Sequence, residues 1–233
     1  MEQKPAEGRR PGRAGRPPRE LAGEVDARIL DAACRLFFER GLGGVSMDDI
    51  ASLASAGKPT IYARFPNKEA LFTAVMMRNV EAKIAQFRAF SPSGNSIGER
   101  LEDMGRALLG WVMVGDTVGL LRLAIGEARR FPDLAGKVSR MARERGLEVV
   151  APLLAEVART DELGPVAAFA PERLSATANL FLDFILSPLL IRALLGEKLD
   201  VLRAEIEPHV ARSVAFFLAG CRQGTGERPA VRS

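Results

Sequence analysis

The chain has 233 residues, 47% hydrophobic and 27% charged, enough apolar material for one large domain or a small one joined to a larger one. A formal net charge of +4 is too small to argue for nucleic acid by itself. One histidine and two cysteines leave no zinc site or disulfide framework, and no Gly-rich phosphate loop or nucleophile–base constellation is visible. These absences weigh against an enzyme, and no cofactor is expected.

In chain order, Arg9, Arg10, Arg13, Arg16 and Arg19 come first, in a stretch with no acid and spaced by glycine and proline. Such a composition cannot build a core, so residues 1–22 are expected to form a basic flexible arm. Arg13 and Arg16 are its candidate minor-groove contacts. Gly15-Arg16-Pro17 matches the core of an AT-hook, with Ala14 where that motif has glycine. The N-terminus carries charge but no apolar h-region, so no signal peptide is expected, and the cysteine usage fits a reducing cytoplasm.

Ile29, Ala33, Leu36 and Phe37 recur at helical spacing, which predicts a helix from about Val25 to Arg40 that stops at Gly41. Cys34, within that pattern, is expected to be a small buried hydrophobe. Ser46-Met47-Asp48-Asp49 is a capping-box pattern starting a second helix that should bury Ile50, Leu53 and Ala54. Ser55-Ala56-Gly57 is a turn, Pro59 suits the first turn of a short third helix, and that helix ends near Phe65-Pro66. Asn67 caps a long helix over about Lys68 to Phe87, and 91–95 is a break. Further helices are expected at 97–114, 117–130, 132–158, 171–195 and 201–220, the last interrupted at Pro208. Residues 160–170 read as a loop and 223–233 as a polar tail. The charges of Arg143, Arg145 and Arg159 with Glu144, Glu148 and Glu156 read as a solvated face. The apolar run from Ala178 to Leu195 contains Asp183, Pro188 and Arg192, so it is expected to be a buried helix or subunit interface and not a membrane span. The fold class is therefore all-α.

Residues 46–65 carry the functional signal. They are laid out as a helix-turn-helix, in which the second helix enters the major groove. Ile61 and Phe65, four apart, face the core, which turns Lys58, Thr60, Ala63 and Arg64 outward with no acid among them. Hydroxyls and cations are what phosphates accept, and arginine can also grip a guanine edge. Tyr62 offers a hydroxyl on a stiff ring, and Lys68 adds a cation at the start of the next helix. Ser46, Lys58, Pro59, Thr60, Tyr62, Ala63, Arg64 and Lys68 are the candidate DNA-binding residues.

The stretch over about residues 25–75 resembles the TetR/AcrR family of transcriptional regulators. The matching residues are Ile29-Leu30-Asp31-Ala32-Ala33, Leu36-Phe37, Gly41, Ser46 to Ala51, Thr60-Ile61-Tyr62, Phe65 and Lys68 to Phe72. Where the family usually has Ala-Gly-Val-Ser through the turn, this chain has Ala54-Ser55-Ala56-Gly57, and Arg64 stands where tyrosine or histidine is common. The resemblance implies an N-terminal three-helix DNA-binding domain (23–83) joined through a long helix to a helical effector-binding and dimerisation domain (84–222). It also implies a homodimer that reads a palindromic operator on double-stranded DNA. The last two long helices would form the dimer bundle. Residues 127–134 resemble a stretch of AcrR-like regulators.

By the same resemblance, the middle helices enclose a cavity for a small, largely apolar effector whose binding releases DNA. Met104, Leu108, Trp111, Met141, Phe181 and Phe184 are the candidate walls. His209 lacks partners at metal-ligand spacing and is read as a helix-start or interface residue. A different reading is a nonspecific architectural DNA-binding protein that relies on the arginine arm.

Overall fold

The computed structural model describes residues 19–159 and 167–223, and within them the chain is helical with no strand. In order the helices are α1 (Arg19–Arg40), α2 (Met47–Leu53), α3 (Lys58–Arg64), α4 (Lys68–Arg88) and α5 (Ile97–Val112). They continue as α6 (Gly115–Gly126), α7 (Pro132–Ala158), α8 (Pro171–Leu194), α9 (Leu199–Ala204) and α10 (Ile206–Gln223), with a 3-10 turn at Ala167–Phe169 before α8. Arg13 and Arg16 lie outside the described residues.

Local chemistry sets most of the boundaries. The Ser46 Oγ accepts from the Asp49 N–H at 3.1 Å, and Asp49 Oδ2 accepts from the Ser46 N–H at 2.9 Å, which completes the expected capping box on α2. Asn67 caps α4 by accepting from Ala70 N–H at 2.8 Å, and Ser96 caps α5 through Glu99 N–H. Gly41, at φ 69°, closes α1 in the left-handed conformation. Three boundaries differ from expectation. α1 begins six residues before Val25, because residues 19–24 include good helix formers. α6 ends at Gly126, and Glu127 to Phe131 form a turn closed by Arg130 N–H to Glu127 C=O at 2.9 Å. The last expected helix is two, α9 and α10, divided at Glu205. Pro208 sits in the first turn of α10, where its missing N–H leaves no bond unmade.

The apolar faces make two cores. The first is built by α1 to α4 around Ile29, Phe37, Leu42, Ile50, Ile61 and Phe72, with Phe37 and Phe72 edge to face at 5.5 Å. Leu120 and Ala124 of α6 and Leu134 and Val138 of α7 belong to this same core. The second core joins α5, α7, α8 and α10 around Leu101, Met104, Leu154, Phe181, Ile185 and Val214, and takes Phe87 from the far end of α4. α4 thus contributes to both, and no break divides it. At Gly105 a Cβ would stand 2.9 Å from Val210 Cγ1 and 3.1 Å from Ile185 Cδ1, so the missing side chain lets α5 approach α8 and α10 closely.

Two arginines cap helix ends across the molecule. Arg203 donates to the Met113 carbonyl at 3.0 Å, behind α5, and Arg122 of α6 donates to the Ala193 carbonyl at the end of α8. Cations at these negative helix ends are favourably placed. α8 is long and apolar enough to cross a membrane by composition, but it packs against α7 and α10 with Phe181, Ile185 and Leu189 in the core. Its other face, with Leu180, Phe184 and Ile191, is exposed, as is Leu195 just past its end. His209 is buried on α10, its Nε2 2.9 Å from the Ile185 carbonyl, so it ties α10 to α8. Cys34 is half-buried where full burial was expected, and Cys221 is buried; burial pushes both thiols above their ordinary pKa.

Candidate nucleic-acid interface and cavity

α2 and α3 are joined by a turn in which Ser55 holds φ 49°, the left-handed region that glycine occupies without cost. Ala56 N–H donates to the Ala51 carbonyl at 2.9 Å and closes the turn. Gly57, the N-cap of α3, is extended and offers no side chain to the helix start, with Pro59 in the first turn. Ile61 is fully buried and Phe65 packs beside it, which fixes α3 on the first core. Lys58, Pro59, Tyr62 and Ala63 are left exposed on one side, with Thr60 half-buried between them. The hydroxyls of Thr60 and Tyr62 make no hydrogen bond to described residues and are free for another acceptor or donor.

The cations of the candidate set differ in how they are held. Lys58 Nζ lies 2.6 Å from Asp48 on α2, an exposed pair that raises the lysine pKa through hydrogen bonding and charge. Lys68 donates to the Val45 carbonyl at 2.8 Å, which pins the start of α4 beneath the loop leading to Ser46. Ser46 itself is exposed, but its hydroxyl is taken up by the cap and by Asp49. The largest departure is Arg64. Its guanidinium is half-buried and ion-paired with Asp26 on α1, so it is turned back onto the head and not free on the outer face. The acid that captures it lies 38 positions upstream, and periodicity within α3 carries no trace of it. Leu53 also differs: Met47, Ile50, Ala51 and Ala54 fill the inner face of α2. Leu53 falls on the flank, 44% exposed, in a shallow cleft beside Leu36 and Arg40.

A cavity of about 460 Å³ lies between α4, α5, α6, α7 and α8. That volume is within the usual range for small-molecule sites, about 300–1,000 Å³. Of the candidate wall residues, Leu108 and Trp111 line it. Met104, Met141, Phe181 and Phe184 do not. Met104 and Phe181 are wholly enclosed in the core, Phe181 against Phe217 at 5.2 Å, and Phe184 lies on the exposed face of α8. Neighbouring positions on a helix point about 100° apart, so a correct helix with the wrong face loses the wall. The wall of α8 is made instead by Leu182, Asp183, Leu186 and Leu190. Trp111 stands edge-on to Phe87 at 5.3 Å and to Phe90 at 5.6 Å. Arg143, expected on a solvated face, also lines the cavity and holds Asp183 at 2.8 Å and Asn179 at 2.7 Å across from α7 to α8.

The cavity and the head share walls. Met76, Ala124 and Val138 line the cavity and are also buried in the first core. Below them, Glu127 accepts from the Gly43 N–H at 3.3 Å, and Phe38 of α1 lies on Gly119 of α6, where an added Cβ would be 2.7 Å from its ring. α6 and the turn after it therefore stand directly between the cavity and the loop that leads into α2.

The model of the family described as "Bacterial regulatory proteins, tetR family" matches residues 29–75, and that described as "AefR-like transcriptional repressor, C-terminal domain" matches residues 99–221, more than half of the chain. The transcriptional activator FasR of Mycolicibacterium smegmatis is 37% identical over 87 residues, which are 37% of each protein's length. A solved structure described as a TetR-family transcriptional regulator, from Mesorhizobium loti, superposes with a TM-score of 0.63 at 26% identity. That superposition covers 85% of this chain and 97% of the other. The flavonoid-responsive regulator FrrA superposes with a TM-score of 0.59 at 29% identity, again over 85% of this chain and 97% of its own.

Proposed function

Because the chain belongs to the TetR family of bacterial regulatory proteins, with an AefR-like C-terminal domain, we propose that it is a homodimeric repressor that reads a palindromic operator and lets go of it when a small effector binds. Regulation of transcription through the N-terminal helix-turn-helix is the family's activity. The observation that carries the finer reading is α3, whose outer face bears Lys58, Thr60, Tyr62 and Ala63, contains no acid, and is held rigidly by buried Ile61. Tyr62 and Lys58 contact phosphate, Thr60, Ala63 and Pro59 lie toward the bases, and Ser46 and Lys68 flank the backbone. Arg64 acts from its place on Asp26, and Arg13 and Arg16 of the arm add minor-groove charge.

The dimer face is the exposed stripe of Leu180, Phe184 and Ile191 on α8 and Leu195 just past its end, with Phe216 on α10. Large exposed apolar side chains aligned along one helix face mark an interaction site when they join into a patch. Each protomer then carries a head over residues 23–83 and a body over 84–222, working on DNA in the cytoplasm. Effector release runs through the shared walls Met76, Ala124 and Val138: a ligand that favours another packing of α6 favours another setting of the heads. FrrA, similar in fold and described as flavonoid-responsive, supports a small-molecule effector.

Selecting bound duplexes from a random pool tests the reading. A twofold-symmetric motif with half-sites about one helical turn apart is expected. Recovery of no common sequence would exclude it.

A further inference from the structure

We propose that the effector is an organic monoanion, a carboxylate on an apolar skeleton, whose charge is met by Lys83. This inference rests on the reading of the cavity as the effector site and names the chemistry that the site selects.

Charge within the cavity is sparse. Its walls are mostly aliphatic and aromatic side chains, and its ionisable lining residues are Lys83, Arg143 and Asp183. Arg143 and Asp183 are paired at 2.8 Å, and Arg143 also donates to Asn179, so each is already neutralised by the other. Lys83 is half-buried on α4 and has no ion pair or hydrogen bond among the described residues. The acid nearest to it in sequence, Glu81, is bound by Arg145 at 3.2 Å. Among the other polar lining groups, Asn79 is occupied by the Thr117 hydroxyl at 3.1 Å. An ammonium at the wall of an apolar cavity, with no counter-ion of its own, is satisfied by a ligand that brings one. A neutral ligand leaves it solvated only in part, and a cationic ligand is repelled. The rest of the wall, with Trp111, Leu108, Ile84, Leu186 and Leu190, can take only an apolar body. One anionic group on an apolar skeleton matches both parts, and a dianion would leave a second charge unmet.

Trp111 lines the cavity and is the chain's sole tryptophan, so its fluorescence reports occupancy directly. The probes are decanoate, decanol and decylammonium below their aggregation limits at pH 7, where the carboxylate is ionised. Decanoate is expected to bind at least about tenfold more tightly than decanol, with decylammonium weakest, a ratio of the size a charge-assisted contact gives. Lys83→Met should lower decanoate affinity by about that factor and leave decanol within about twofold, whereas Lys83→Arg should keep the preference. Equal affinity for decanoate and decanol, no saturable response to decanoate, or a preference that survives K83M overturns the inference. A parallel measurement on a duplex selected from the random pool separates the two claims. Sequence-specific binding without a carboxylate preference removes the ligand class alone. Carboxylate preference without sequence-specific binding removes the regulator reading alone.

Discussion

At Ser55 the turn of the helix-turn-helix holds a non-glycine residue at φ 49°. Left-handed backbone costs a residue with a Cβ roughly 1–2 kcal/mol relative to glycine. Ser55→Gly is therefore expected to stabilise the protein by about 1 kcal/mol, part of the gain being offset by the extra freedom of glycine in the unfolded chain. A higher urea midpoint at unchanged slope is the expected readout, and a lower midpoint would mean that the serine side chain holds the turn in some other way. Tyr62 allows a sharper functional test. Its ring is 49% exposed and its hydroxyl has no partner among the described residues, so Tyr62→Phe should leave stability unchanged. Binding to selected and scrambled duplexes should weaken by the same factor, as removal of a phosphate-binding hydroxyl does. The outward positions of Lys58 and Ala63 were legible in the sequence because a helix repeats locally, whereas Thr60, also read as outward, is half-buried. The inward turn of Arg64 was not legible, because the carboxylate that takes it, Asp26, comes from a distant segment.

α2 is a short helix whose start depends on the reciprocal bonds between Ser46 and Asp49. Ser46→Ala should cost about 1 kcal/mol of stability. The Ser46 hydroxyl, and then its backbone N–H, hold the Asp49 carboxyl below its ordinary pKa. A group depressed in this way contributes fully above its unfolded pKa, near about 3.9, and the contribution is lost as pH falls through the lower folded value. The stability gap between the wild type and S46A should accordingly be constant near neutrality and shrink below about pH 4. Guanidinium titrations at pH 7 and pH 3 check this, and a gap that widens in acid would contradict it. Caps of this kind are written in a few adjacent residues, which is why α2, α4 and α5 start where the sequence places them. The end of α6 and the division between α9 and α10 depend on long-range packing, and the sequence pattern placed both wrongly. The cavity suffered most from this, since choosing its wall requires knowing which face of α5, α7 and α8 turns inward.

At the scale of the whole molecule, the α8 stripe and the arm separate a site-reading dimer from a chain that merely coats DNA. Ile191→Glu places a charge in the middle of the exposed apolar stripe and leaves the core face of α8 untouched. The proposed dimer should become a monomer in sedimentation and binding to a symmetric duplex should be abolished, while the helical circular dichroism is retained and the melting temperature falls only by what the lost interface contributed. Removing residues 1–18 should lower affinity and flatten its salt dependence by about one ion for each phosphate the arm no longer neutralises, yet leave the ranking of duplexes unchanged. Abolition of all binding on that truncation would favour the architectural reading. The central claim, that α3 on a folded dimer reads a defined sequence, is tested most directly by competing a selected duplex against a scrambled one of equal composition at physiological salt. The account predicts that the selected duplex binds at least about a thousandfold more tightly. Equal affinity for the two would contradict it.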